Sequence, residues 1–168
     1  MVLTIDIGNT TIGIGGFQGN KLLFIEKISS RRPLSDAGYI EKLNMILNKH
    51  GLSAEAFEGS MISSVVPSVT AVFSSALETF LGRKPLILSH KLDLGYEICT
   101  EFPEKVGCDR LADIAGAISR YSLPFVTIDL GTATTFNVLD ENRRFLGGLI
   151  LPGVGTAHRA LLGKTAQL

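Results

Sequence analysis

Apolar residues alternate with small or polar ones through Val2-Leu-Thr-Ile5 and again through Thr11-Ile-Gly-Ile-Gly-Gly-Phe17. That period of two predicts a pair of strands. Gln18-Gly-Asn20 has the chemistry of a tight turn, and Lys21 to Ile28 continues as a third strand. From Pro33 the period changes. Tyr39, Ile40, Leu43, Ile46 and Leu47 recur at helical spacing until Gly51, the residue type that ends helices. Met61 to Val66 is a buried strand stopped by Pro67. Val69, Val72, Phe73, Ala76, Leu77, Phe80 and Leu81 then follow the i, i+3, i+4, i+7 rule and mark the clearest helix, closed by Gly82 and Pro85. Pro85 to Leu88 returns to strand, the stretch from Leu92 to Pro103 is irregular, and Leu111, Ile114, Ala115 and Ile118 mark a third helix.

At about Ser122 the pattern restarts. Strands are predicted over Phe125–Leu130, Thr135–Leu139 and Phe145–Leu151, with a turn at Asp140–Arg143, a break at Pro152–Gly155 and a short helix from Thr156 to Leu162. Three hairpin-connected strands followed by alternating helix and strand is the order of a ribonuclease-H-like lobe, an α/β class with mixed sheets flanked by helices. Residues 1–121 are expected to form a first lobe and residues 122–168 the start of a second. Three strands and one helix make a poor independent core, so the second lobe is read as incomplete. The chain is then a fragment of a longer protein or one that completes itself by association.

Composition narrows the possible partners. Hydrophobic residues make up 45% of the 168 positions, which suits a folded chain. Lys+Arg and Asp+Glu balance at 16 each, and no basic run offers the concentrated positive surface that nucleic acid or an anionic membrane needs. No apolar stretch approaches the roughly 18 residues of a membrane span, and Met1-Val2-Leu3 enters a strand without a secretory n-region. Cys99 and Cys108, without metal-ligand spacing, are read as thiols of a reducing cytoplasm.

The chemistry concentrates in a repeated design. Thr4-Ile-Asp-Ile-Gly-Asn-Thr-Thr11 and Thr127-Ile-Asp-Leu-Gly-Thr-Ala-Thr-Thr135 each deliver one acid, Asp6 or Asp129, to a glycine followed by small hydroxyl residues. Glycine lets the backbone approach a ligand, turn amides and hydroxyls can donate to phosphate, and a carboxylate at the tip can hold a cation. Two such hairpins facing each other would clamp a nucleoside triphosphate. A tight turn alone could explain either acid, but it does not require both to follow Thr-Ile and precede x-Gly.

Asp6–Thr10, Gly107–Arg110, Asp129–Thr135 and Gly147–Gly153 form an ordered motif set. Together they closely resemble the type III pantothenate kinases, of the acetate-kinase/sugar-kinase/Hsp70/actin fold group. The likeness runs through the whole chain, Ser-Ser-Val-Val-Pro67 included, and covers about the first two-thirds of such a protein. The resemblance implies ATP-dependent phosphorylation of pantothenate to 4'-phosphopantothenate, the first step of coenzyme A synthesis. It also implies Mg2+, an activating K+ or NH4+, and a cytoplasmic homodimer. Carried over by position, Asp6, Ile7, Gly8, Asn9, Thr10, Thr11 and Thr132 would lie at ATP. Asp109 would be the base for the pantothenate hydroxyl, with Gly107, Cys108, Arg110 and Thr100 at the substrate, and Asp129 would hold the monovalent cation.

Plainer readings stand beside these. Asp109 sits where Asp is a favoured helix N-cap. Gly147-Gly148 and Pro152-Gly153 can be bends at a strand end, packing near the substrate. Asp113 reads as a solvated or supporting group, Cys108 as a small side chain, and His50, His90 and His158 as ordinary histidines. The chain also departs from the family pattern. Gly13 stands where many members carry a basic residue, Cys108 replaces an alanine, and Thr100 replaces a substrate-contacting tyrosine. The alternative function is a non-catalytic, nucleotide-binding regulator or accessory protein.

Overall fold

A computed structural model describes residues 1–163. The chain divides into two compact units, Met1–Leu88 and Ser89–Leu168.

The first unit runs β1 (Val2–Ile7), β2 (Thr11–Gln18), β3 (Lys21–Ser29), α1 (Asp36–Lys49), β4 (Gly59–Ser64), α2 (Pro67–Leu81) and β5 (Leu86–Ile87). Its sheet has the order β3-β2-β1-β4-β5. The first three strands are antiparallel neighbours, while β4 pairs parallel with β1 and β5 parallel with β4. This is the ribonuclease-H-like order that the alternation predicted. Leu3, Ile5, Ile7, Ile12 and Ile14 turn one face of the sheet to Tyr39, Leu43 and Leu47 of α1 and to Val69, Phe73 and Leu77 of α2. Local chemistry sets the helix ends. Ser35 Oγ accepts from Gly38 N–H, so α1 begins at Asp36, after the Pro33 where the sequence suggested a start. Pro67 occupies the first turn of α2, where its missing N–H costs nothing, and Gly82 closes that helix at φ 65°.

The second unit contains β6 (Glu97–Ile98), α3 (Cys108–Ile118), β7 (Phe125–Leu130), β8 (Ala133–Leu139), β9 (Arg144–Pro152) and α4 (Val154–Leu162). Its sheet has the order β6-β9-β8-β7, with β7, β8 and β9 antiparallel and β6 parallel to β9. The chain divides after Leu88, not after residue 121 as expected, because α3 packs on β7 and β8. Ile114 meets Leu139 and Phe145 in a core of its own, and the Tyr96 hydroxyl donates to Leu111 O at 2.9 Å. The irregular stretch conceals β6, held by Glu97 N–H to Arg143 O and Cys99 N–H to Phe145 O, each 2.9 Å.

One acid fixes the turn between β8 and β9. Asp140 Oδ1 accepts from Asn142 N–H at 2.9 Å and Arg144 N–H at 2.8 Å, while Oδ2 accepts from Arg144 Nε at 2.7 Å. Burial pushes the Asp140 carboxyl up, but the bonds from Arg144 and Asn142 outweigh it and hold the group below its usual value. A depressed carboxyl stabilises the fold above its unfolded value, and that contribution fades as pH falls through the folded one. Asp140→Ala is therefore expected to lower the melting temperature at pH 7. The gap to the parent should begin to narrow below about pH 4 and go on narrowing as pH falls through the folded value.

A second consequence concerns β9. A Cβ built on Gly148 would run into Phe136 O of β8, so Gly148→Ala must part the two strands. The expected cost is about 1–3 kcal/mol, read from hydrogen exchange of the β8 and β9 amides. Gly116→Ala, whose Cβ meets nothing within 4 Å, should be neutral or stabilising in the same assay.

Candidate active site

Each hairpin is closed by a bond from its glycine N–H to the first residue of the returning strand, three residues on in one hairpin and two in the other. Gly8 N–H donates to Thr11 O in the first unit, and Gly131 N–H to Ala133 O in the second, both at 2.9 Å. The alternation that buries Ile5 and Ile7 sends Asp6 to the opposite, exposed side. Asn9 and Thr11 are exposed and Gly8 and Thr10 partly so, while Ser30 N–H donates to Thr10 O and anchors the tip to the end of β3. Ile7 differs from the other residues expected at ATP. Its side chain is 0% exposed within the core, so only its backbone faces the turn, and its carbonyl accepts from Val65 N–H. Gly13 pairs with Asp6 across the ladder.

In the second unit Asp129 and Thr132 are exposed at the hairpin tip. The tip is packed from below by the start of α4. Gly153 N–H donates to Thr132 O at 3.0 Å, Thr156 Oγ1 donates to the same oxygen at 2.8 Å, and a Cβ on Gly153 would collide with Gly131 O. Gly153 is thus the N-cap of α4, which begins at Val154, so the Pro-Gly pair opens the helix where the sequence suggested only a break.

Asp109 and Arg110 come from the first turn of α3, whose N-cap is Gly107. Asp109 is therefore not the cap. It lies one step inside the helix, and its Oδ1 accepts from Arg110 N–H at 2.8 Å. A carboxylate in a helix's first turn is favoured by the helix dipole. Cys108 and Gly107 are partly exposed beside it, and Cys99 and Cys108 form no disulfide.

Arg110 turns back onto the sheet. Its Nε donates to Asn137 Oδ1 at 2.6 Å, its Nη2 to Phe136 O at 3.3 Å, and its guanidinium lies 5.4 Å from the Phe145 ring centre. Burial lowers the Arg110 pKa, partly offset by Asp109. Thr100 reaches the neighbouring strand β9. Its Cγ2 lies 3.7 Å from the position a Cβ on Gly147 would take, and a Cβ on Gly148 would lie 3.2 Å from Arg110 Nη2. Thr100 Oγ1 is buried without a hydrogen-bond partner. Beside this cluster, a cleft of about 330 Å3 opens between α3 and β7, lined by Asp113, Gly116, Arg120, Tyr121, Thr127 and Asp129 among others.

Sequence reasoning missed Asn137. It is 0% exposed and links Arg110 to Thr127 Oγ1, to which its Nδ2 donates at 3.0 Å. The available signal was a polar residue at an inward position of a strand, Phe136-Asn-Val-Leu139, which needs a partner when buried.

The described residues contain no cluster of three or more His, Cys, Asp or Glu suited to a metal ion, and no helix among them is long and apolar enough to cross a membrane.

A family model described as type III pantothenate kinase matches residues 2–168. A type III pantothenate kinase of Bifidobacterium animalis subsp. lactis is 40% identical over 168 residues, all of this chain and 67% of that one. Another, of Thermomicrobium roseum, is 36% identical over 168 residues, 65% of its length. The chain thus spans about two thirds of the curated relatives it matches. Among solved structures, a Campylobacter jejuni protein named as a Baf family transcriptional activator superposes with a TM-score of 0.57 at 17% identity, over 99% of this chain and 62% of that one. That likeness is one of fold. With a family match reaching from residue 2 to residue 168, on a fold that presents the expected motifs, the chain belongs to the type III pantothenate kinase family.

Proposed function

We propose that this chain carries the phosphate hairpins and the acceptor-activating segment of an ATP-dependent pantothenate kinase. The observation that carries the reading is the family match over residues 2–168, and the placement of Asp109 and Arg110 together in the first turn of α3 supports it. Phosphoryl transfer asks a protein for positioning, charge compensation and one acceptor for the hydroxyl proton. Asp109 is that acceptor. With Oδ1 engaged by the main chain, Oδ2 is the oxygen to which the pantothenate hydroxyl gives its proton. Arg110 recognises the pantothenate carboxylate, and Thr100 with Gly107 and Cys108 completes the acceptor pocket.

The turn amides and hydroxyls of Gly8–Thr11 and the Thr132 hydroxyl serve the ATP phosphates. A Mg2+ shared with the phosphates needs only one or two carboxylates from the protein, and Asp6 suits that use; the ion would offset phosphate charge. Asp129, at the other tip, suits K+ or NH4+. On the family's pattern the working form is a cytoplasmic homodimer. A purely regulatory nucleotide binder would have no use for a carboxylate at position 109, so the kinase reading is preferred.

Asp109→Asn is expected to lower pantothenate phosphorylation by about 100-fold or more while ATP affinity, measured by calorimetry, stays within about twofold. Loss of both together would make Asp109 structural. Asp129→Ala is expected to flatten the response of the rate to added K+ or NH4+, and an unchanged activation curve would move the cation elsewhere.

A further inference from the structure

Asn137 lies outside the motif set, yet it is the most enclosed polar side chain among the described residues, at 0% exposure. Both ends of a buried amide must be bonded, and both are. Its oxygen accepts from Arg110 Nε at 2.6 Å and its nitrogen donates to Thr127 Oγ1 at 3.0 Å. The orientation of the amide follows from chemistry, since a guanidinium has only donors and must meet the oxygen. Arg110 is then fixed by a second bond, from Nη2 to Phe136 O at 3.3 Å, and by the Phe145 ring.

These contacts have a directional consequence. A guanidinium can grip a carboxylate in bidentate fashion either side-on, through Nε and Nη2, or end-on, through Nη1 and Nη2. Asn137 and Phe136 O occupy the side-on edge. The end-on edge is the one the protein's own bonds leave for a ligand. A flexible arginine would spread over several rotamers and lose entropy on binding, whereas one held at Nε is already oriented.

We propose that Asn137 is a positioning residue. It holds the Arg110 guanidinium so that its end-on edge meets the carboxylate of the acceptor substrate, and it thereby sets the preference for an anionic acceptor over a neutral one. The proposal rests on the kinase reading and on Arg110 as the carboxylate partner.

The test uses Asn137→Ala in the full chain, with pantothenate and its neutral analogue, in which a primary alcohol replaces the carboxylate, as acceptors. The KM for pantothenate should rise about tenfold or more, the scale of one charge-assisted hydrogen bond. The KM for the alcohol and the KM for ATP should move less than about twofold. In an Arg110→Ala background Asn137→Ala should add nothing. Asn137→Asp, which keeps an oxygen for Arg110 Nε, should restore most of the lost affinity. Independently of turnover, nitrogen-15 spectra should show one protected arginine Nε–H that disappears in Asn137→Ala and persists in Asn137→Asp. If Asn137→Ala does not fold, Thr127→Val, which removes the far bond of the same link, should raise the pantothenate KM selectively. Equal losses for the two acceptors, additivity with Arg110→Ala, or no Nε–H signal that depends on Asn137 would overturn the proposal. A signal that depends on Asn137 in a parent that never phosphorylates pantothenate would uphold the positioning of Arg110 and remove the kinase reading instead.

Discussion

A single guanidinium fastens α3 to its sheet, and the groups at the start of that helix take their places from it. Arg110 spans from the first turn of α3 to Asn137 and Phe136 of β8. The apolar contacts deeper in the helix, Ile114 against Leu139 and Phe145, hold the two layers together. A 2.6 Å charged hydrogen bond to a fully buried amide is directional, so it sets where along β8 the helix begins. Asp109 is the neighbour of Arg110 and accepts its backbone N–H. The candidate base and the candidate carboxylate receptor therefore share one anchor.

The internal repeat separates what a local motif determines from what its surroundings determine. Both Thr-Ile-Asp-x-Gly stretches close their hairpins with a 2.9 Å bond from the glycine N–H, across spans that differ by one residue, and expose the acid. Their apolar faces differ sharply. Leu3, Ile5 and Ile7 are at most 1% exposed, whereas Val126, Ile128 and Leu130 are 53%, 56% and 75% exposed. The strand β1 lies between β2 and β4 with α1 and α2 on its apolar side, while among the described residues β7 is an edge strand paired only with β8. Period-two alternation fixes which way the acid points. Burial of the opposite face is a tertiary matter, and the orientation of the acid does not depend on it.

The same distinction explains what was readable before the structure. The helices α1 and α2 and the hairpins declare themselves because their signals are local: apolar spacing, turn residues, alternation. So did the ordered motifs, and with them the family. The division after Leu88 was not readable, since the pattern along α3 says that Leu111, Ile114 and Ile118 form a face but not which sheet receives it. Strand β6 escaped for a related reason. Two residues, Glu97 and Ile98, carry no periodicity, and they become a strand only through pairing with Arg144 and Phe145. Asp109 looked like a cap because Asp favours that position, but Gly107 opens the helix two residues earlier.

The glycines of the Gly147–Gly153 motif show how one sequence signal can stand for several constraints. Read along the chain, they suggest bends at a strand end that pack near the substrate. In the fold each answers a different demand. Gly147 has φ 103°, a conformation that side chains rarely adopt, at the irregularity where β9 changes register on β8, and it faces Thr100. Gly148 has ordinary backbone but no room, because Phe136 O and the Arg110 guanidinium lie where its Cβ would be. Gly153 caps α4 and lets that helix abut the tip of the second hairpin. None of the three needs to touch a ligand to matter. They let β8, Arg110 and the hairpin tip come closer together than any side chain would allow, and the candidate substrate residues sit where that close approach puts them.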